Sequence, residues 1–280
     1  MPALLLDGRP LAEEILRDVR TEIAGFGTRF PAPILALLLP NAATARAYAR
    51  SIVKTLKPIG IGVHEIVLED MIEEVAFREI VTRLNTDDSV TGILALQPLP
   101  ARLPRSLPAV SIAPEKDVDG VTPLNAGRLL LGLSTVPPST PAGAMELLRY
   151  YRIPVAGRRA VIIGRSPVVG RPLLSMLLAA DATVTVCHRQ TVDLPAHTRT
   201  AELLFVAAGV PGLVTPDLVN PETVVVDFGI NVVDGRLVGD VDPQVAEVAR
   251  ALTPVPGGTG PVTNAVLARN LVALAKQRPR

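Results

Sequence analysis

The chain reads as an α/β protein of two domains with a cleft between them: an N-terminal α/β domain and a C-terminal Rossmann-type doubly wound parallel sheet. Three observations predict this. Helical and strand periodicities alternate through the first hundred residues. A Pro-rich stretch over 101–141 interrupts the alternation, and a second strand–helix series follows it. That second series opens on Ala160-Val-Ile-Ile-Gly-Arg-Ser-Pro-Val-Val-Gly-Arg-Pro172, where an apolar run breaks at Gly164 and a helix-compatible segment begins at Gly170.

Taken in order, residues 9–25 place Leu11, Ile15, Leu16, Val19 and Ile23 at helical spacing. Ile34–Leu39 is a continuous apolar run between prolines and predicts a buried strand. Residues 41–57 read as helix, His64–Leu68 as strand, Ile72–Leu84 as helix and Gly92–Leu96 as strand, ended by Pro98 and Pro100. This counts as four β/α units, hence a mostly parallel sheet with helices on both faces. The 101–141 stretch, with Pro-Glu-Lys-Asp-Val-Asp-Gly at 114–120, is too long for filler and reads as a functional loop. Pro137, Pro138 and Pro141 mark a boundary. A helix over 142–151 then leads into strands at 160–163, 182–187, 203–207 and 223–228, with a short extra strand at 236–241. Residues 253–261 fit neither helix nor central strand because of their prolines and glycines, and 262–276 forms a last helix that returns to the first domain. The predicted domains are 1–139 plus 266–280, and 140–265.

Composition removes several function classes. At 280 residues and 48% hydrophobic the chain buries real cores, which excludes a disordered protein. A net charge of +1 gives no reason to expect nucleic acid as a partner. The single cysteine, Cys187, cannot form an intramolecular disulfide or a cysteine metal cage, so a reducing compartment fits and no metal site is expected. No apolar stretch reaches about 18 residues, and the N-terminal apolar run is too short for a secretory signal. The expectation is a cytoplasmic protein with no membrane partner.

The Gly164-x5-Gly170 turn suits a dinucleotide phosphate approached by backbone N–H groups, although an ordinary strand–helix turn could look the same. The end of the next strand sharpens it. A site for NAD carries an acidic residue there for the ribose 2′-hydroxyl, whereas Thr183–Val186 runs into Cys187-His-Arg189 with no carboxylate before Asp193. Arg165 and Arg189 could grip a 2′-phosphate, which favours NADP; either could instead be a solvated surface residue. Asp227-Phe-Gly-Ile-Asn231 follows the fourth strand, where Gly229 permits close approach to a nicotinamide with Ile230 beside it, or simply ends the strand.

These segments have a joint likeness. Lys116-Asp-Val-Asp-Gly120, Asn125-Ala-Gly-Arg-Leu129, Ser139-Thr-Pro141, the Gly164–Pro172 turn, Asp227-x-Gly-Ile-Asn231 and Thr253-Pro-Val-Pro-Gly-Gly-x-Gly-Pro261 occur in order. Together they resemble the bifunctional methylenetetrahydrofolate dehydrogenase/methenyltetrahydrofolate cyclohydrolase family, over nearly the whole chain. The resemblance implies a folate-type substrate oxidised by NADP in one-carbon metabolism, and a homodimer. It implies that Gly164, Arg165, Ser166, Arg189 and Ile230 contact the cofactor, that Asp119 hydrogen-bonds the pterin, and that Tyr48 belongs to the catalytic set.

The likeness breaks at the chemistry. Where the family has Tyr-x-x-x-Lys on a helix, this chain has Tyr48-Ala-Arg-Ser-Ile52. Lys54 is six residues from Tyr48, about 240° around the helix, and should point elsewhere. Where the family has Val-Gln-Leu-Pro-Leu-Pro, this chain has Ala95-Leu96-Gln97-Pro98-Leu99-Pro100, so Leu96 takes the glutamine's place and Gln97 should face away. The polar run before the tyrosine becomes Pro40-Asn-Ala-Ala-Thr-Ala45. Losing lysine and glutamine together makes an apolar patch rather than a half-satisfied polar pair. Dehydrogenation mainly needs positioning, whereas hydrolysis of the methenyl bridge needs a proton-moving group, and neither His64 nor His197 is placed by any motif to act as one. The expectation is a dehydrogenase whose cyclohydrolase activity is lost or weak. Two alternatives stay open: an NADP-dependent oxidoreductase of the same fold on another small substrate, and a catalytically silent ligand-binding relative.

Overall fold

The computed structural model describes residues 3–277; the outermost residues of the predicted domains, 1–2 and 278–280, lie outside the described residues. Strands and helices follow in the order β1 (Leu4–Leu5), α1 (Arg9–Ala24), β2 (Ile34–Pro40), α2 (Ala43–Leu56), β3 (Gly62–Leu68), α3 (Glu74–Thr86), β4 (Gly92–Ala95), α4 (Leu107–Ser111), α5 (Pro123–Leu130) and α6 (Ser139–Tyr150). They continue with β5 (Arg159–Ile163), α7 (Gly170–Ala179), β6 (Thr183–Cys187), α8 (Leu194–Thr198), β7 (Leu203–Val206), β8 (Val224–Asp227), β9 (Asn231–Val233), β10 (Arg236–Val238), β11 (Ala251–Leu252) and α9 (Thr259–Lys276). Two units form. One combines Glu14–Ser139 with the chain from Asn264 onward, and the other combines the stretch up to Glu13 with Thr140–Thr263.

In the first unit the leucine-rich β2 is the middle strand of a parallel sheet ordered β3-β2-β4, which is why its apolar run is unbroken. The steps from β2 to β3 and from β3 to β4 run in opposite directions, so right-handed crossovers put α2 and α3 on opposite faces. Phe77 and Val81 of α3 pack with Ala36, Leu38 and Ile93 on one face. By alternation Leu35, Leu37, Leu94 and Leu96 face the α2 side. Helix α9 lies beside α2: Asn264 Nδ2 donates to Ser51 Oγ at 2.9 Å.

The second unit is a six-stranded sheet ordered β1-β11-β8-β7-β5-β6, parallel throughout. Strand β5 has β6 on one side and β7 on the other, so the order reverses there, and α7 and α8 cover opposite faces. The carboxyl ends of β5–β8 carry Gly164, His188, Ala207 and Phe228, and ligands of such sheets bind at that edge.

Several expectations need correction. The first unit's sheet has three strands, β2, β3 and β4, rather than the four units expected, and a strand the sequence reading did not name, Leu4–Leu5, pairs with Ala251 and Leu252 of the other sheet. The same pairing takes residues up to Glu13 out of the domain expected to run from residue 1 to 139. The Pro-rich stretch is partly helical: Thr122 caps α5, with Pro123 in the first turn. Helix α9 begins at Thr259, inside the stretch expected to be non-helical, since Pro261 lies in the first turn where a missing N–H costs nothing. The strand expected over 236–241 is the second arm of a β9–β10 hairpin and ends at Val238.

Candidate functional site

In the first unit, Tyr48 and Asp119 come together. Both are half-buried. Burial and then the charge of Asp119 push the Tyr48 phenol above its usual range, so it stays protonated and can donate. Burial raises the Asp119 carboxyl to about 6, against the pull of the Ser139 N–H, which donates to Asp119 Oδ1 at 2.9 Å. The loop that carries Asp119 is held from several sides. Buried Lys116 donates to the carbonyls of Leu84 (2.7 Å) and Asp87 (2.5 Å), capping the end of α3. Asp117 accepts from Val121 N, Thr122 N and Asn125 Nδ2, which makes it a loop-structuring carboxylate. From α9, Asn270 Nδ2 donates to Val118 O (3.0 Å) and Pro137 O (2.8 Å), clasping the two backbone segments that bring Asp119 to Ser139.

Ile52 is fully buried on the stripe Ala45, Ala49, Ile52 and Leu56, the face α2 turns to the core. Leu96 is 3% exposed, and its N–H donates to Leu38 O, extending the β4 register by one residue. It therefore points to the layer that α2 occupies. Gln97 is exposed and accepts from Leu99 N at 3.2 Å, turned away as expected. Lys54 is exposed. At both positions where the resemblance calls for a polar group, the structure has packed hydrocarbon.

In the second unit, the predicted cofactor residues gather at the carboxyl edge of the sheet. Gly164 has φ +126°, and a Cβ there would run into Ala207 O. A Cβ at Gly170 would meet Gly164 O, so both glycines serve close passage of the chain. Ser166 Oγ accepts from Val169 N (3.1 Å) and Gly170 N (3.4 Å), which closes the loop and leaves its own O–H available to donate. Arg165 and Arg189 are exposed, and neither has an ion pair among the described residues. Ile230 is 57% exposed just after β8. A tight glycine turn, an available hydroxyl, two unpaired guanidiniums and an apolar surface residue fit the phosphates, ribose and ring of a dinucleotide.

Sequence reasoning missed the group that shapes this edge. Asp240 is fully buried and accepts from Ala208 N, Gly209 N and Asn231 Nδ2. Asp227, read only as part of a motif, accepts from Gly229 N, Asp240 N and Val241 N. Burial raises its carboxyl to about 6, with the charge of Asp240 adding to the rise. The sequence signal was present: a carboxylate inside the apolar run Leu237-Val-Gly-Asp-Val241 needs a buried partner.

Two family descriptions match the chain. Residues 6–119 match the tetrahydrofolate dehydrogenase/cyclohydrolase catalytic domain, and 138–279 match its NAD(P)-binding domain. A bifunctional protein FolD of Thermomicrobium roseum is 54% identical over 275 residues, covering 98% of this chain and 96% of the relative. The crystal structure of a bifunctional FolD methylenetetrahydrofolate dehydrogenase/cyclohydrolase from Campylobacter jejuni superposes with a TM-score of 0.92 at 42% identity, over 99% of both chains. A Trypanosoma brucei methylenetetrahydrofolate dehydrogenase-cyclohydrolase, complexed with NADP and an inhibitor, also gives 0.92, at 32% identity over 99% of this chain and 98% of that one. Among the described residues no helix is long and apolar enough to cross a membrane, and no group of His, Cys, Asp or Glu could hold a metal ion.

Proposed function

The chain belongs to the tetrahydrofolate dehydrogenase/cyclohydrolase family, and from that premise we propose that it oxidises methylenetetrahydrofolate with NADP while hydrolysing the methenyl product poorly or not at all. The observation that carries this is the burial of Ile52 and Leu96 where the resemblance calls for lysine and glutamine. The dinucleotide, when bound, supplies the oxidant. The chain's own residues do the rest. Gly164, Arg165, Ser166 and Arg189 hold the phosphates, and Ile230 offers an apolar face to the ring. Asp119, as carboxylate, accepts from the pterin, and the protonated Tyr48 donates to the folate. The cation left on the folate is stabilised by its two flanking nitrogens, so this step asks for alignment rather than a protein acid or base. Opening the methenyl bridge asks for water activation and proton movement, and Ile52 and Leu96 have no polar atoms to provide them.

The pterin work falls to Glu14–Ser139 with the chain from Asn264 onward, and the dinucleotide work to Thr140–Thr263. A homodimer in a reducing cytoplasm completes the reading; light scattering that returned the monomer mass of 29.6 kDa would remove the dimer. The cofactor assignment is tested by steady-state reduction of NADP and NAD with methylenetetrahydrofolate. NADP should be preferred at least about tenfold in kcat/KM, as expected for two guanidiniums on a 2′-phosphate. Equal use of both would contradict the roles of Arg165 and Arg189.

Asp119 also sets a pH dependence. The carboxylate is the accepting form, so kcat/KM for the folate should fall about tenfold per unit as pH drops below about 6. Asp119→Asn should remove that arm of the profile, and an unchanged arm in the variant would assign it elsewhere. Stability runs the other way. The raised value means that the neutral form is the better tolerated in the fold, so this contribution is complete below the ordinary value of 3.8 and is lost as pH rises through about 6.

A further inference from the structure

The carboxyl edge of the six-stranded sheet is tied together by two buried carboxylates, Asp227 and Asp240. Three loops meet there: Ala207–Gly209 after β7, Phe228–Ile230 after β8, and Gly239–Val241 after the β9–β10 hairpin. Asp240 Oδ2 accepts from two consecutive N–H groups of the first, Ala208 N and Gly209 N, both at 2.7 Å. Its Oδ1 accepts from Asn231 Nδ2 at 2.8 Å. Its own N–H donates to Asp227 Oδ1 at 3.1 Å, and Asp227 Oδ1 also accepts from Gly229 N at 2.7 Å. Asp227 Oδ2 accepts from Val241 N at 3.0 Å.

The packing is reciprocal. A Cβ at Gly229 would strike Asp240 N and the Asp240 carboxylate, and a Cβ at Gly239 would strike Asp227 Oδ2. Each glycine is thus the seat of the other loop's aspartate. Burying two neighbouring carboxylates is expensive, and the sheet's ladder bonds do not depend on them. What they do is join three loops into one rigid surface, on which Ile230 stands exposed next to Gly229.

We infer that Asp240 is a positioning residue for the dinucleotide, setting the Ala208–Gly209 and Gly229–Ile230 backbone against which the cofactor ring rests. This rests on the cofactor reading proposed above. Asparagine at 240 has one acceptor where the aspartate uses two, so its NH2 group must face a donor, either the Ala208 and Gly209 N–H groups or the Asn231 amide.

The test is a titration of the full-length protein with NADP by calorimetry, beside a titration with tetrahydrofolate and a melting curve. Asp240→Asn should weaken NADP binding about tenfold or more. Tetrahydrofolate affinity should stay within about twofold, which a general loss of folding would not allow. Asn231→Ala removes one contact from Oδ1 at a half-buried position and should weaken NADP by a smaller factor, about two- to fourfold. If Asp240→Asn does not fold, the Asn231→Ala titration decides alone. NADP affinities within experimental error of wild type in the folded variants would overturn the positioning role while leaving the cofactor reading intact. A wild-type protein that binds no NADP would overturn the cofactor reading and this inference with it.

Discussion

Replacing Ile52 with lysine and Leu96 with glutamine in one chain is expected to raise hydrolysis of methenyltetrahydrofolate by about 10²-fold or more, the scale of a positioned acid–base group. The geometry argues for the pair rather than either change alone. Ile52 is fully buried on the inward stripe of α2, one helical turn from Tyr48, and Leu96 points into the same layer from the end of β4. An ammonium placed there without a partner would be desolvated and would shed its proton or destabilise the fold. A glutamine carbonyl at 96 supplies an acceptor. Ile52→Lys alone should therefore give a lower melting temperature and a smaller gain than the double variant. Dehydrogenase activity should change less than hydrolysis in both, because it depends on alignment. Following formyl product from supplied methenyltetrahydrofolate reads the effect, and a double variant that folds but hydrolyses no faster than wild type would contradict the account of this patch.

Gly164→Ala is expected to reduce NADP affinity by about 10²-fold while sparing tetrahydrofolate binding. A residue with a side chain is strained at φ +126°, at about 1–3 kcal/mol. The added Cβ would also run into Ala207 O and come within 2.8 Å of Ala207 C, forcing the ends of β5 and β7 apart at about 1–3 kcal/mol more. That gap lies at the switch point of the sheet, next to the turn closed by Ser166. Calorimetric titration of each ligand separates the outcomes: equal loss for both ligands would mean global unfolding, and no loss for NADP would remove the turn from the cofactor site.

How much of this was legible in the sequence depended on how local its cause is. The inward position of Ile52 follows from the helical spacing of Ala45, Ala49, Ile52 and Leu56, and the opposite facing of Leu96 and Gln97 from strand alternation, so both could be read from neighbours a few residues away. The Thr122-Pro123 start of α5 was also a local signal, but it was submerged in a Pro-rich context that reads as loop. Strand β1 had no such signal. Two leucines pair with residues almost the whole chain away, and nothing local marks them as strand. Asp240 is the same case at a site: its three donors come from positions 208, 209 and 231, which only the folded sheet assembles. The clasp of Asn270 on the Asp119 segment is equally non-local.

The most direct test of a dehydrogenase without its hydrolytic partner reaction is a time course on the wild-type protein, supplied with methylenetetrahydrofolate and NADP. NADPH, methenyltetrahydrofolate and formyl product are followed separately, with an enzyme-free control for spontaneous hydrolysis. Methenyltetrahydrofolate should accumulate in step with NADPH, and formyl product should appear only at the control rate. Formyl product that keeps pace with NADPH would contradict it.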